Sequence, residues 1–153
     1  MLPESAGRAA LFAAVFVALF VAHQVADHWI QTDHQACRKG DPGWVGRIAC
    51  AAHIATYTAT ALVALAALPL VLGVPLSVGR VSAGLAVSAV SHYLADRRTP
   101  LRRLAEAAGR ARFYALGQPR PGRDDNPSLG CGSYALDQSF HYLFLFVAAL
   151  IIA

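Results

Sequence analysis

Apolar residues run through this chain in long blocks that polar residues interrupt at only a few places. No charged side chain lies between Arg8 and Asp27, between Arg47 and Arg80, between Arg80 and Asp96, or after Asp137. Blocks of about 20 uncharged residues are what a hydrocarbon layer of about 30 Å asks of a helix. Four spans fit the pattern, over residues 9–30, 48–72, 76–95 and 134–153. Gly73 and Pro75 separate the second from the third. In lipid every backbone N–H and C=O must be bonded within the segment, so the spans are predicted as helices. No stretch alternates as a membrane strand does. The pattern predicts an all-α fold: an integral membrane four-helix bundle forming a single transmembrane domain over residues 1–153. The first span is read as retained, not as a cleaved leader, because its run is long and its closing motif recurs later.

Composition sharpens this reading. Hydrophobic residues make up 56% of the 153 positions and charged residues 14%. A soluble domain carries roughly a quarter charged residues, so an ordinary cytosolic enzyme, a disordered chain and a free nucleic-acid binder are excluded. The charge is also asymmetric. The first connection holds Arg38, Lys39 and Arg47. The third holds Arg97, Arg98, Arg102, Arg103, Arg110, Arg112, Arg120 and Arg123. Only Arg8 and Arg80 of the 13 basic residues fall elsewhere. Basic connections stay in the cytoplasm, which predicts a multi-pass protein of the cell (plasma) membrane with both termini extracytoplasmic. The net charge of +4 then reads as a topology signal, and the expected partners are the lipid bilayer and anionic headgroups, with no nucleic acid. A homo-oligomer is compatible with the pattern.

The third connection has its own order. Thr99 and Pro100 read as an N-cap and first helical residue. Leu101, Leu104, Ala108, Ala111 and Ala115 then recur at helical spacing, with Arg102, Arg103, Glu106 and Arg110 largely off that stripe. This predicts a short amphipathic helix on the headgroups. Residues 117–133 are rich in Gly and Pro, carry Asp124, Asp125 and Asn126, and read as a mobile linker. The cysteines are Cys37, Cys50 and Cys131. Their odd number, on the reducing side, predicts free thiols.

The ionisable residues inside the spans carry the chemistry. Each buried Asp costs at least ~2.5 kcal/mol on insertion scales, so each needs a reason. Span one ends His23-Gln-Val-Ala-Asp27, span three ends His92-Tyr-Leu-Ala-Asp96, and span four begins Asp137-Gln-Ser-Phe-His141. The order reverses when the helix direction reverses. His53 lies near the start of span two, which predicts a layer of four imidazoles about 6 Å below three carboxylates. Residues four apart share a helix face, so each pair can point inward together. The chain further reads as two tandem helical hairpins, each with H-x-x-A-D on its first helix and His on its second, with Ala49 at the position that matches Asp137. Trp29 and Trp44 fit an interfacial aromatic belt. His28 and His34 read as solvated, and Gln31, Asp33, Gln138, Tyr57, Tyr93 and Tyr142 as neighbours of the cluster.

With these motifs in hand, H-x-x-A-D-H-W-I-Q-T-D from His23 to Asp33, the His53 helix start, H-x-x-A-D at His92 and D-Q-x-x-H at Asp137, the chain resembles a family of small multi-spanning membrane proteins of bacteria and their phages with no assigned activity. The resemblance covers most of the chain outside residues 97–133. It implies the fold and the polar residues as a set, and no reaction.

Imidazole and carboxylate are the ligand set of zinc first, and of iron or manganese second. Helix bundles build such sites from inward-facing side chains. The expected metal ligands are His23, Asp27, His53, His92, Asp96, Asp137 and His141. Seven exceed the four that one zinc takes, so some serve as hydrogen-bonded support or as part of a dinuclear site. A metal with an open position would activate water, which suggests a metal-dependent membrane hydrolase. The alternatives are a structural His–Asp network and a proton or metal-ion transporter. Haem ranks last, because its ligands need no Asp one turn away.

Overall fold

The computed structural model describes residues 4–118 and 131–153, which contain helices and no strand. Helix α1 covers Glu4–Val25 and runs straight into a π-helical turn, Ala26–Ile30. Short α2 spans Asp33–Arg38, and α3 spans Gly43–Leu72. Helix α4 spans Val78–Asp96, followed by α5 (Thr99–Ala107), α6 (Ala111–Tyr114) and α7 (Gly132–Ile152). Three segments are long and apolar enough to cross a membrane: Glu4–Ile30, Gly43–Leu72 and Gly132–Ile152. Helix α4 is outside that set. Its 19 residues include Arg80, Ser82, Ser88, Ser91 and His92.

The long helices pack as two pairs, α1 with α3 and α4 with α7, and the pairs meet through α1 against α7 and α3 against α4. Between them lie Val15, Leu19, Tyr57, Ala61, Leu65, Leu85, Leu145, Ala148 and Ile152. Small residues let α4 and α7 approach closely. A Cβ on Gly84 would stand 2.6 Å from Ile152 Cγ1 and 2.9 Å from the Ala148 carbonyl oxygen. Outside, Val63, Leu70, Val71, Val78 and Leu150 are exposed. Apolar side chains therefore cover both the interior and much of the exterior, the reverse of a water-facing surface.

The element boundaries depart from the sequence reading in instructive ways. Helix α3 begins five residues before position 48, after extended Pro42, so His53 sits deeper along its helix than the span implied. Its other end is set by Gly73, whose φ of 65° allows the left-handed cap that bonds its N–H to the Leu68 carbonyl. The first connection is not a plain loop. Thr32 and Gln35 form a reciprocal capping box that starts α2. The amphipathic helix is shorter than its stripe predicted. It breaks at Gly109, where φ is 70°, and Thr99 is its first residue, with Arg98 as the cap. Leu101 and Ala105 are its buried positions, while Leu104 is 52% exposed. Residues 119–130, with Asp124, Asp125 and Asn126, lie outside the described residues.

The basic connections converge at one end. The Arg97 guanidinium donates to the carbonyl oxygens of Lys39 at 2.7 Å and Asp41 at 2.6 Å, joining the third connection to the first. At the opposite end Arg80 donates to the Ala153 carbonyl at 2.8 Å and lines a cavity with Arg8.

Candidate metal centre

Each polar side chain reaches the cluster through a local feature of its helix. The π turn after α1 widens the helix by one residue per turn, as the Gln31 N–H to Ala26 carbonyl bond of 2.8 Å records. It leaves Asp27 Oδ1 3.7 Å from His23 Nδ1, four residues earlier. On α4, His92 and Asp96 share a face one turn apart. On α7, the His141 ring is anchored by Nδ1, 2.8 Å from the Asp137 carbonyl and 3.6 Å from Asp137 Oδ2. His53 projects from α3 and is fully buried.

The four imidazoles meet in one layer, with His92 at its centre. Its ring centroid lies 4.1 Å from that of His141, 5.1 Å from His53 and 5.4 Å from His23. The Tyr57 ring lies 4.2 Å from that of His92, tilted by 53°, and shares a 2.6 Å hydrogen bond with Ser88. Gln138 Oε1 lies 3.4 Å from His23 Nε2, and Gln24 donates to the Tyr142 hydroxyl at 2.9 Å.

Three ligand atoms form a nearly equilateral triangle. His53 Nε2 and His92 Nε2 are 3.2 Å apart, and each is 3.3 Å from Asp96 Oδ2. Tetrahedral zinc with bonds of 2.0–2.1 Å holds its ligand atoms about 3.3 Å from one another, so this triangle has the dimensions of one face of such a shell. Asp27 Oδ1 approaches the same two nitrogens at 3.4 and 3.6 Å. The oxygens Asp27 Oδ1 and Asp96 Oδ2 are buried, and neither has a hydrogen-bond partner among the described residues. Buried carboxylate oxygens without donors are costly, and a cation between them and the imidazoles removes that cost.

The seven residues expected from the sequence all belong to sets of ligand atoms within 4.8 Å of one another: His23, Asp27 and His92; His53, His92 and Asp96; Asp96, Asp137 and His141. Such sets are geometrically able to hold a metal ion. Other expected neighbours fall apart from them. His34 and Asp33 are exposed and do not line the site. His28 is exposed but turns toward the site, with Nε2 3.4 Å from the Tyr134 hydroxyl. The three cysteines are free and outside these sets.

Sequence reasoning missed the basic side chains of the site. Lys39 Nζ lies 2.8 Å from Asp96 Oδ1 and fixes that carboxylate with its Oδ2 toward the imidazoles. The Arg97 guanidinium holds the backbone that carries Lys39. Above the carboxylates is a cavity of about 490 Å³, lined by Asp27, Asp96, Asp137, Lys39, Arg98 and Tyr134 among others. The one legible signal was the Thr32–Gln35 capping pattern, which sets where α2 begins and so the register in which Lys39 follows it.

Fold and site together define an all-helical protein with candidate membrane-crossing helices and a buried His/Asp cluster able to ligate a metal. More particularly, residues 15–153 match the model of the family described as "Protein of unknown function (DUF3307)", and the chain belongs to that family. It matches no curated protein and no solved structure.

Proposed function

We propose that the chain is a multi-pass protein of the cell membrane, a single transmembrane domain whose polar cluster is a divalent-metal centre, and that it works as a metal-dependent hydrolase at the cytoplasmic face. In this reading α1, α3, α4 and α7 cross as a four-helix bundle. Helix α4 rises about 28 Å at 1.5 Å per residue, close to the hydrocarbon thickness, and it packs between two helices of the apolar set. Both basic connections lie at the site's end, which supports a cytoplasmic site and extracytoplasmic termini.

The observation that carries the metal centre is the triangle of His53 Nε2, His92 Nε2 and Asp96 Oδ2, with Asp27 Oδ1 beside it at 3.4 and 3.6 Å from the two nitrogens. Three ligands with an open fourth position make catalytic zinc, and four make structural zinc; in the catalytic reading Asp27 Oδ1, 3.4 and 3.6 Å from the two nitrogens, supports the site without ligating. Zinc is the first candidate, iron or manganese the second. His23, Asp27, Asp137 and His141 complete the surroundings as further ligands or support. A divalent ion held here would supply Lewis acidity, and the cavity adjoins it through Asp27 and Asp96, which line both. In a purely structural network Asp27 Oδ1 and Asp96 Oδ2 have only imidazole nitrogens at 3.3–3.7 Å as neighbours, none in hydrogen-bonding geometry. A transport path lacks polar steps at the opposite end, where the core is Val15, Leu65 and Ile152.

Elemental analysis of purified protein tests this reading. Close to one zinc, iron or manganese per chain is expected, and metal-free protein with an unchanged melting temperature overturns it. Impermeant thiol reagents test the orientation: Cys37 is to react only from the cytoplasmic side, and a cysteine at Ser5 only from the other.

A further inference from the structure

Arg98 stands in a conformation that its residue type disfavours. Its φ of 58° and ψ of −46° make it the one non-glycine residue with positive φ among the described residues. Only glycine adopts such a backbone without steric cost, and strain of this kind persists where the side chain has a task. The side chain is accommodated deliberately. It crosses Gly40, where a Cβ would stand 2.7 Å from Arg98 Cδ and 2.9 Å from Nε. Among the described residues its hydrogen bond is a long one, Nη2 to the Ala36 carbonyl at 3.3 Å. It lines the cavity that also holds Asp27, Asp96 and Asp137.

The charge of that cavity depends on the metal. Among the described residues its three carboxylates outnumber Lys39 and Arg98 by one. A divalent ion at the triangle reverses the balance to one positive, and the cavity then attracts an anion. A guanidinium and a divalent cation facing one another are the recurring pair for phosphoryl oxygens, the guanidinium binding two and the cation another.

We infer that the cavity is a phosphoryl-binding site, with Arg98 and the metal at His53, His92 and Asp96 as its two cationic poles. This rests on the metal-centre reading and assigns it a substrate class: a compound bearing a phosphate ester, either an amphiphile's headgroup at the membrane surface or a soluble phosphate.

The decisive variant is Arg98→Gly, which removes the guanidinium and relaxes the backbone at once. Zinc-loaded protein in phosphatidylcholine nanodiscs is titrated with inorganic phosphate by calorimetry, with Arg98→Gly and Arg98→Lys in parallel. Wild type is expected to bind, and to lose binding when the metal is removed. Arg98→Gly is expected to bind at least tenfold more weakly, with metal content unchanged and melting temperature not lowered, and Arg98→Lys to fall between. A second arm adds phosphatidic acid to the nanodiscs. Competition with phosphate identifies a headgroup site, and no competition identifies a soluble phosphate site. Zinc-loaded wild type that does not bind phosphate overturns the phosphoryl site and leaves the metal centre standing. So does Arg98→Gly that binds as wild type does, or that melts at a lower temperature, which would make Arg98 a structural brace. Failure to take up metal overturns both.

Discussion

At the end marked by Arg8 and Arg80, the four long helices meet through Val15, Leu65, Leu85, Ala148 and Ile152; at the other, the same helices meet through four imidazoles and three carboxylates. The first end is closed on itself. Gly84 lets α4 lie against Ile152. The second end is as deeply buried, with His23 and His53 at 0% exposure and His92 at 2%, yet it keeps polar atoms without a hydrogen bond among the described residues. The contrast separates two uses of burial. Apolar burial stabilises by itself, whereas buried imidazole and carboxylate stabilise only when something supplies the missing interaction. Substitution at the first end should therefore cost stability and spare metal content. At the second it should cost metal content before stability.

The largest effect is expected from His92→Ala, which removes the ring that touches His53 and both carboxylates. Metal affinity should fall by more than ~100-fold, beyond what loss of a supporting residue brings. Elemental analysis should find less than a tenth of the wild-type metal, and retention of full occupancy would break the comparison at its polar end. Next comes Leu65→Ala at the apolar end. It should lower unfolding free energy by about 2–4 kcal/mol, measured by denaturant titration in mixed micelles, with metal stoichiometry unchanged. Loss of metal there would mean the two ends are not separable. The smallest effect is that of Lys39→Met, which keeps the side chain's length but frees Asp96 Oδ1. A drop of about tenfold in metal affinity is expected. His34→Ala, at an exposed histidine within the same α2 that leads to Lys39, should change affinity less than twofold and serves as the comparator.

Much of the polar end was legible because a helix repeats. H-x-x-A-D appears at His23 and His92, and Asp137 to His141 reverses it on a helix of opposite direction. Spacing of four then fixes which pairs share a face. The apolar end was legible as composition. What escaped were features whose register depends on other elements. The π turn at Ala26–Ile30 looks like any helix end in sequence. Lys39 read as one of several topology charges until α2 and the Arg97 guanidinium set its place. Arg98 read as part of a basic run, and nothing local announced its positive φ. The amphipathic stripe extended too far in sequence because periodicity counts Ala108 and Ala111 alike, while Gly109 between them breaks the helix.

By itself the sequence determined the apolar helices, the segregation of basic residues to alternate connections, and the residue types of the polar layer, since each is a property of a segment and its neighbours in the chain. Only tertiary structure decided that His53, His92 and Asp96 make the tight triangle while His23 and His141 stand around it, that Lys39 pairs with Asp96, and that Arg98 lines the same cavity as the carboxylates. Periodicity fixes a side chain's angle about its own helix axis. It leaves free the rotation of each helix against the others and the path of the connections, and those two freedoms set every distance in the site.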